Sequence, residues 1–300
     1  MSIFNSLKKR LYAYIDYREN LILTKQKYYL EANLIKHLHI SSSNRGVSDN
    51  NVFEDSQLIV SLTTYGKRLH EVYLTIESIM QQTIKPNKIL LWLAEDMKDV
   101  DIPIHLKRQQ ERGLELKYCK DIRSYKKLIP TMKEYPNDVI ITVDDDVIYN
   151  TDTIELLVNA YRKHPNCVIA NWALEMKMNE SKTFAPYRGW TSVTDEGESK
   201  LYLPIGCAGI LYPPHSLAKE VTDEDTFMTI CKYGDDLWFK AMALRNGYLC
   251  YVTPQGIHEH QYYDNPLWQD KGLTQVNINQ DLNDSQIQCV FETYQLYDLL

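Results

Sequence analysis

The stretch that most constrains this chain is Val139-Ile140-Ile141-Thr142-Val143-Asp144-Asp145-Asp146-Val147-Ile148-Tyr149. Five β-prone residues run into three consecutive carboxylates, and the chain then turns apolar again. A short Val/Ile run of this kind reads as a buried strand of a parallel sheet. The end of such a strand is where an open α/β sheet presents its chemistry. Three adjacent acids repel one another, and burying them unpartnered is costly. A cation is therefore expected beside them. The simplest candidate is a divalent ion carrying a phosphate, because Mg²⁺ and similar hard ions take carboxylate oxygens together with substrate phosphate oxygens. The plain alternative is a solvated acidic turn, and the strand that leads into the acids favours the metal.

The flanking sequence supplies the rest of an α/β pattern. Leu58 to Tyr65 reads as a strand ending at Gly66, and His70 to Gln82 carries apolar residues at helical spacing. Lys88 to Leu93 is a second strand, ending in Ala94-Glu95-Asp96. A short helix is expected over Ile104 to Glu111, a strand over Leu114 to Tyr118, and a short helix around Thr131 to Tyr135. After the acids, Thr153 to His164 is an amphipathic helix, with Asp152 or Thr151 as its N-cap, and Cys167 to Asn171 is a strand. Strands alternating with helices imply a parallel, doubly wound sheet whose ligands bind beyond the carboxyl ends of the strands. The expected rim is Thr63, Thr64, Tyr65, Glu95, Asp96, Asp121, Lys126, Lys127, Asp144, Asp145 and Asp146. Phosphates would find Arg68, Lys126 or Lys127 nearby, although a solvated face is the plainer reading for any one lysine.

Further along, residues 172–200 show no clean periodicity and carry Trp172, Tyr187 and Trp190 among polar residues. A long irregular segment inside a domain is often a binding loop. Its aromatic rings can stack on a sugar or simply pack beneath the loop. Gly206 and Gly209 interrupt the apolar run Leu203 to Pro214, which suggests close backbone approach by a ligand or a neighbouring strand. Asp235-Asp236 then open an apolar helix that closes at Gly247. The helix dipole accounts well for one acid at that place, less well for two. Tyr248 to Val252 reads as a strand, His258-Glu259-His260 could ligate a metal, and the apolar residues near Leu300 suggest a docking helix.

Residues 1–40 look helical and hold seven basic and three acidic residues, a net +4 in a chain of net −7. Ile3, Phe4, Leu7, Leu11, Tyr14 and Ile15 recur at helical spacing beside Lys8, Lys9 and Arg10. This pattern suits an anionic membrane surface, or a helix docked on its own domain. Residues 41–55 read as a linker. The expected organisation is a helical extension and linker over 1–55, one domain over 56–272 and a helical tail over 273–300. The acidic balance argues against nucleic acid as a partner. Six cysteines without a Cys-x-x-Cys pair suit reduced thiols in a cytoplasmic protein. There is neither a bilayer-spanning apolar run nor a signal-peptide pattern, so the expected place is the cytoplasm, at most at the inner face of the membrane. Twenty-two tyrosines suit polar ligands such as sugars as well as a packed core.

A strand ending in Asp-x-Asp, a Gly-bearing strand, and an acid pair opening a helix with a Gly-Tyr exit come here in a familiar order. Over about residues 57 to 262 the chain resembles glycosyltransferases of the GT-A fold, within the bacterial family 2-like group that builds surface polysaccharides. The resemblance implies a Rossmann-like, mainly parallel sheet. It also implies transfer of a sugar from a UDP- or GDP-sugar to a hydroxyl of a saccharide or lipid-linked saccharide, with inversion. By that resemblance Asp146 would ligate Mn²⁺ or Mg²⁺ on the donor diphosphate, with Asp144 or Asp145 reaching the ribose or supporting the metal. Thr63, Thr64 and Tyr65 would line the base pocket, and Asp121 with Lys126 or Lys127 would contact the nucleotide. Asp236 would be the catalytic base beside Asp235, which stands where the family has Glu. His258, or its rival His260, would assist the metal.

Two other functions compete. A haloacid-dehalogenase-type phosphatase also places Asp-x-Asp after an apolar strand, with the first Asp as nucleophile. That family puts this strand near the start of the domain, and its later acids follow a strand. An inactive nucleotide-sugar-binding subunit of an assembly complex is the non-enzymatic reading.

Overall fold

The computed structural model describes residues 2–253, 262–265 and 282–300. A long helix, α1 (Ser2–Ser41), leads into an α/β domain. Four strands follow, β1 (Leu58–Thr63), β2 (Lys88–Ala94), β3 (Leu114–Cys119) and β4 (Val139–Thr142), joined through α2 (Val72–Met80), α3 (Ile104–Gln110) and α4 (Ile129–Glu134). These four strands are mutually parallel. β5 (Val147–Tyr149) leaves the main sheet, and α5 (Thr153–Lys163) returns the chain to β6 (Cys167–Ala170).

The next segments are short. β7 (Ala173–Glu175), β8 (Thr191–Ser192) and β10 (Tyr202–Pro204) form a small antiparallel sheet, while β9 (Gly197–Ser199) edges the main one. β11 (Ile210–Tyr212), α6 (Glu224–Ile230), α7 (Asp235–Arg245) and β12 (Leu249–Val252) complete the core of the domain. β13 (Tyr262–Asp264) pairs with β5, and α8 (Leu282–Thr293) closes the chain before a final 3₁₀ turn.

The main sheet has eight strands in the order β3-β2-β1-β4-β11-β6-β12-β9. β11 and β9 run against the others, so the sheet is mostly parallel. Its inner strands β2, β1, β4, β11 and β6 are buried on both faces, which is why they read as apolar runs, while β3 and β9 are only partly buried. Along β4, Val139 and Ile141 face a core that includes Ile76 and Leu157, whereas Ile140 faces one built from Tyr125, Phe227, Trp238 and Phe291. The chain lays β2 and β3 to one side of β1 and then crosses to place β4 on the other. That reversal makes the β1–β4 boundary the switch point, where a crevice opens beyond the strand ends. The Asp144 stretch follows β4 directly, so the topology delivers all three acids to that crevice.

The C-terminal half of α1 is docked on the domain. Tyr28, Ala32 and Ile35 pack against Leu74 and Ile148, and His39 is buried beside Glu77 of α2. Toward its N-terminus, Tyr12, Tyr14 and Ile15 are exposed. No helix among the described residues is long and apolar enough to cross a membrane. None of the six cysteines is in a disulfide.

Candidate active site

At the β1–β4 boundary the three acids separate into different roles. Asp145 turns inward and is only 7% exposed. Its Oδ2 accepts from Thr64 Oγ1 at 2.5 Å and its Oδ1 from Arg68 Nη1 at 2.7 Å. Burial pushes its pKa up, against the pull of the Arg68 guanidinium and the Thr64 hydroxyl. The Asp145 carbonyl also accepts from Thr75 Oγ1 at 3.0 Å, so this residue pins the strand end to α2. Asp146 pairs with Arg68 Nη2 at 3.0 Å, and its carbonyl accepts from the Asn265 amide at 2.8 Å. Asp144 faces the other way, toward Lys127 Nζ at 3.0 Å.

Lys127 is the junction of the site. Besides Asp144, its ammonium lies 3.0 Å from Asp235 Oδ2 and 3.8 Å from Asp236 Oδ1, in the first turn of α7. Burial alone would lower its pKa, but Asp144, Asp235 and Asp236 outweigh burial and hold it well above the ordinary lysine value. Acids about ninety positions apart in sequence thus share one cation. Lys126, beside it, is also buried and pairs with Asp121. The solvated-face reading of these two lysines is therefore overturned, because the 3₁₀ turn over Arg123–Lys127 points both inward.

Asp236 is incompletely satisfied: Oδ2 accepts from the Gly206 amide at 2.8 Å, while the buried Oδ1 has no hydrogen-bond partner among the described residues. Burial raises its pKa to about 7, with Lys127 opposing and Asp235 and Asp144 reinforcing the shift. A quarter of the side chain, 24%, still reaches the surface. A carboxyl group that titrates near neutrality and reaches the surface is suited to take a proton. Gly206 is required for this contact. A Cβ there would stand 2.8 Å from Lys127 Nζ and 3.0 Å from Asp236 Oδ1. The close approach that the sequence implied is thus made by these two side chains. Gly209, at φ +90°, serves a different need, the left-handed turn into β11.

Around this centre, Tyr149 receives a hydrogen bond from the Asp144 amide at 3.0 Å and donates to the Cys207 carbonyl at 2.9 Å. It links the acid turn to the Gly206 segment, and nothing in its sequence context signals that role. Of the other expected residues, Thr63 Oγ1 donates to the Trp92 carbonyl at 2.8 Å, and Tyr65 is exposed beneath the Arg68 guanidinium. Glu95 and Asp96 lie exposed in a 3₁₀ turn after β2, with no contact to the acid cluster. His258 and His260 lie outside the described residues.

Among the described residues no three His, Cys, Asp or Glu side chains converge to hold an ion by themselves. Asp144 and Asp146 keep open carboxylate surface, 33% and 25% of each side chain. Among the described residues five carboxylates share two cations, Arg68 and Lys127. A diphosphate entering such an excess of negative charge would need further positive charge. These residues therefore fit Mn²⁺ or Mg²⁺ that arrives with phosphate oxygens to complete its shell, and do not fit a resident ion caged by protein alone. No protein-family model matches the chain and no curated protein matches it in sequence, so what this site does is read from its own chemistry.

Proposed function

We propose that this chain is a glycosyltransferase that moves a sugar from a nucleotide-diphosphate donor to a hydroxyl of a saccharide or lipid-linked saccharide. The observation that carries this reading is the partly exposed Asp236 carboxyl, held between the Gly206 amide and Lys127 beside the acid turn at the switch point of the sheet. Sugar transfer needs both elements, a base for the acceptor hydroxyl and a charged seat for the leaving diphosphate. The order of motifs in the sequence, which resembles GT-A transferases of the bacterial family 2-like group, supports the same reading.

In this scheme Asp236 takes the proton of the acceptor hydroxyl. The hydroxyl oxygen forms a bond to the anomeric carbon as the bond from that carbon to the diphosphate breaks. A single displacement of this kind inverts the anomeric centre. Asp144 and Asp146 would hold the divalent ion, which when bound neutralises charge developing on the leaving phosphates. Lys127 keeps Asp144, Asp235 and Asp236 together, and Arg68 fixes Asp145 and Asp146. Thr63 to Tyr65 stand at the adjoining end of β1, where a base would lie. α7 opens with Asp235 and Asp236 at its N-terminus rather than behind a strand, an arrangement the phosphatase reading does not use.

Thermal-shift and calorimetric titration with UDP- and GDP-sugars, each with Mn²⁺, Mg²⁺ or EDTA, tests the donor site. Metal-dependent stabilisation of about 3 kcal/mol at a hundredfold excess over the dissociation constant is expected for the correct donor. Silence toward every nucleotide sugar, together with phosphate release from simple phosphomonoesters, would replace this reading with the phosphatase. The basic α1 gives a lipid-linked acceptor a place at a membrane. Flotation of the full chain with anionic but not neutral vesicles is expected, and equal flotation with both would remove that element.

A further inference from the structure

A groove of about 420 Å³ lies between the segment 183–188 and α8. Phe184, Pro186, Arg188, Asp284, Gln288 and Tyr297 form its walls. Its size falls within the range of small-molecule sites. The aromatic wall is rigid, with Phe184 packed on Phe291 at 4.7 Å and on Tyr297 at 5.2 Å between ring centres. Carboxylate and amide groups stand beside those rings. A flat apolar face next to basic, acidic and amide hydrogen-bonding groups (Arg188, Asp284 and Gln288) matches a sugar ring, which offers C–H faces and hydroxyl edges.

The groove is joined to the acid cluster through one residue. Tyr187 lies between Pro186 and Arg188, and its amide donates to Asp284 Oδ1 at 2.6 Å. Its ring turns inward, 4.9 Å from that of Trp190, and its hydroxyl bonds Asn283. Burial, then the nearby Asp236 carboxyl, raise the Tyr187 phenol to about 12, so it stays neutral. α8 braces the same arrangement from behind. Gln286 Oε1 accepts from the Tyr233 amide at 2.7 Å, in the loop that enters Asp235 and Asp236. Helix α8 thus holds both the groove wall and the approach to the acid pair.

The geometry points to this groove as the seat of the acceptor, a neutral saccharide whose ring stacks on the aromatic wall while Asp284 and Gln288 bind its hydroxyls. This assignment rests on the transferase reading for its purpose, though the groove and its chemistry stand apart from the donor site.

The test uses the full chain with Mn²⁺ and UDP present. Methyl β-D-glucoside, methyl β-D-galactoside, N-acetylglucosamine and lactose serve as probes in saturation-transfer NMR. At least one is expected to bind wild-type protein, and Gln288→Trp, which fills the groove from an exposed position, should weaken that probe about tenfold or more. Asp284→Asn should weaken it as well, while UDP affinity stays unchanged in both variants. Equal probe binding in wild type and Gln288→Trp would overturn the assignment. So would silence of all four probes in protein that still binds UDP. If UDP fails to bind but Gln288→Trp still abolishes a probe signal, the groove stands as a saccharide site and the donor reading falls. If neither UDP nor any probe binds, both fall.

Discussion

Glu77 and Asp236 are both buried acids held among cations, and they differ in how completely they are satisfied. Glu77, on α2, is fully buried, and Arg112 grips its two oxygens at 2.7 and 2.9 Å. Gln81 donates to Oε1 at 2.7 Å, and Gln109 and His39 reach Oε2 at 3.3 and 3.2 Å. Burial would raise the pKa of Glu77, but Arg112 and Gln81 outweigh it, and the pKa is lowered. Asp236 has one backbone amide, a lysine at 3.8 Å that it shares with two other carboxylates, and a buried oxygen with no hydrogen bond. Its pKa goes the other way, to about 7. The first network ties α1 to α2 and α3 and is built for stability. The second keeps a charge poised, which is what proton transfer needs.

The largest expected effect separates the two on activity. Asp236→Asn should lower sugar transfer by roughly 10²–10⁴ while leaving nucleotide binding intact. In wild type, kcat/KM should climb as pH rises through about 7. Stability carries the opposite sign. The folded state holds the proton of Asp236 more tightly than the unfolded chain does, so its stabilising share is full at low pH and fades as pH rises through about 7. The Asn variant should therefore melt above wild type at pH 8 and close to it at pH 4. A parallel loss of nucleotide binding would place Asp236 in the donor site instead.

Glu77→Gln is next, and it should cost about 3–5 kcal/mol in a urea titration, because it leaves Arg112 buried without its countercharge. The depressed pKa of Glu77 means its contribution is full above the ordinary glutamate range and is lost as pH falls through the lowered value. The variant's deficit should therefore shrink in acid. Folded Glu77→Gln protein should keep its transfer rate, and a large drop in that rate would erase the contrast between the two networks. Gly206→Ala probes the shared cation more gently. Its Cβ must displace Lys127 or Asp236, so transfer should fall roughly ten- to hundredfold with little change in melting. An unchanged rate would show that the Gly206 contact is only packing.

The two networks are unequally legible in the sequence. The acid turn stands out because Val139 to Val143 is unbroken β-prone chain, and Asp235-Asp236 stand out because they open an apolar helix before Gly247. Most helices and the parallel strands follow from periodicity, α6 and the short strands β7 to β10 do not, and α1 spans nearly the stretch expected of it. The counter-ions do not stand out. Arg68 reaches Asp145 across 77 positions, and Lys127 reaches Asp236 across the whole central region of the sheet. A lone Lys or Arg in a polar loop carries no local mark of burial, and only the folded topology brings it to its acids. Arg68 and Lys127 thus supply some of the positive charge expected beside Asp144 to Asp146. The antiparallel entry of β11 between β4 and β6 is also hidden, because three residues carry no usable period. Gly206 signals a close approach, but the sequence does not say which groups approach.

Lys240 extends the comparison to a buried ion with no partner, and it has the smallest expected effect. It lies on α7 one helical turn beyond Asp236, and its Nζ has no hydrogen-bond partner among the described residues. Val168, Tyr212, Leu249 and Cys250 surround it in a cavity of about 10 Å³, room for a single water. Burial lowers its pKa to about 8, and only the Cys250 and Cys167 thiols oppose that shift. A lysine depressed in this way favours the fold most above the ordinary lysine range, and that share is lost as pH falls through about 8. Lys240→Met should therefore stabilise the protein at pH 7, on the order of 1–2 kcal/mol, because an apolar chain of similar length removes the desolvation cost. The gain should vanish near pH 10.5, where the wild-type amine is already neutral. Melting curves of both proteins at pH 7 and pH 10 measure this. A variant that melts lower at pH 7 would mean that Lys240 has a partner in solution and belongs with Lys127 rather than apart from it.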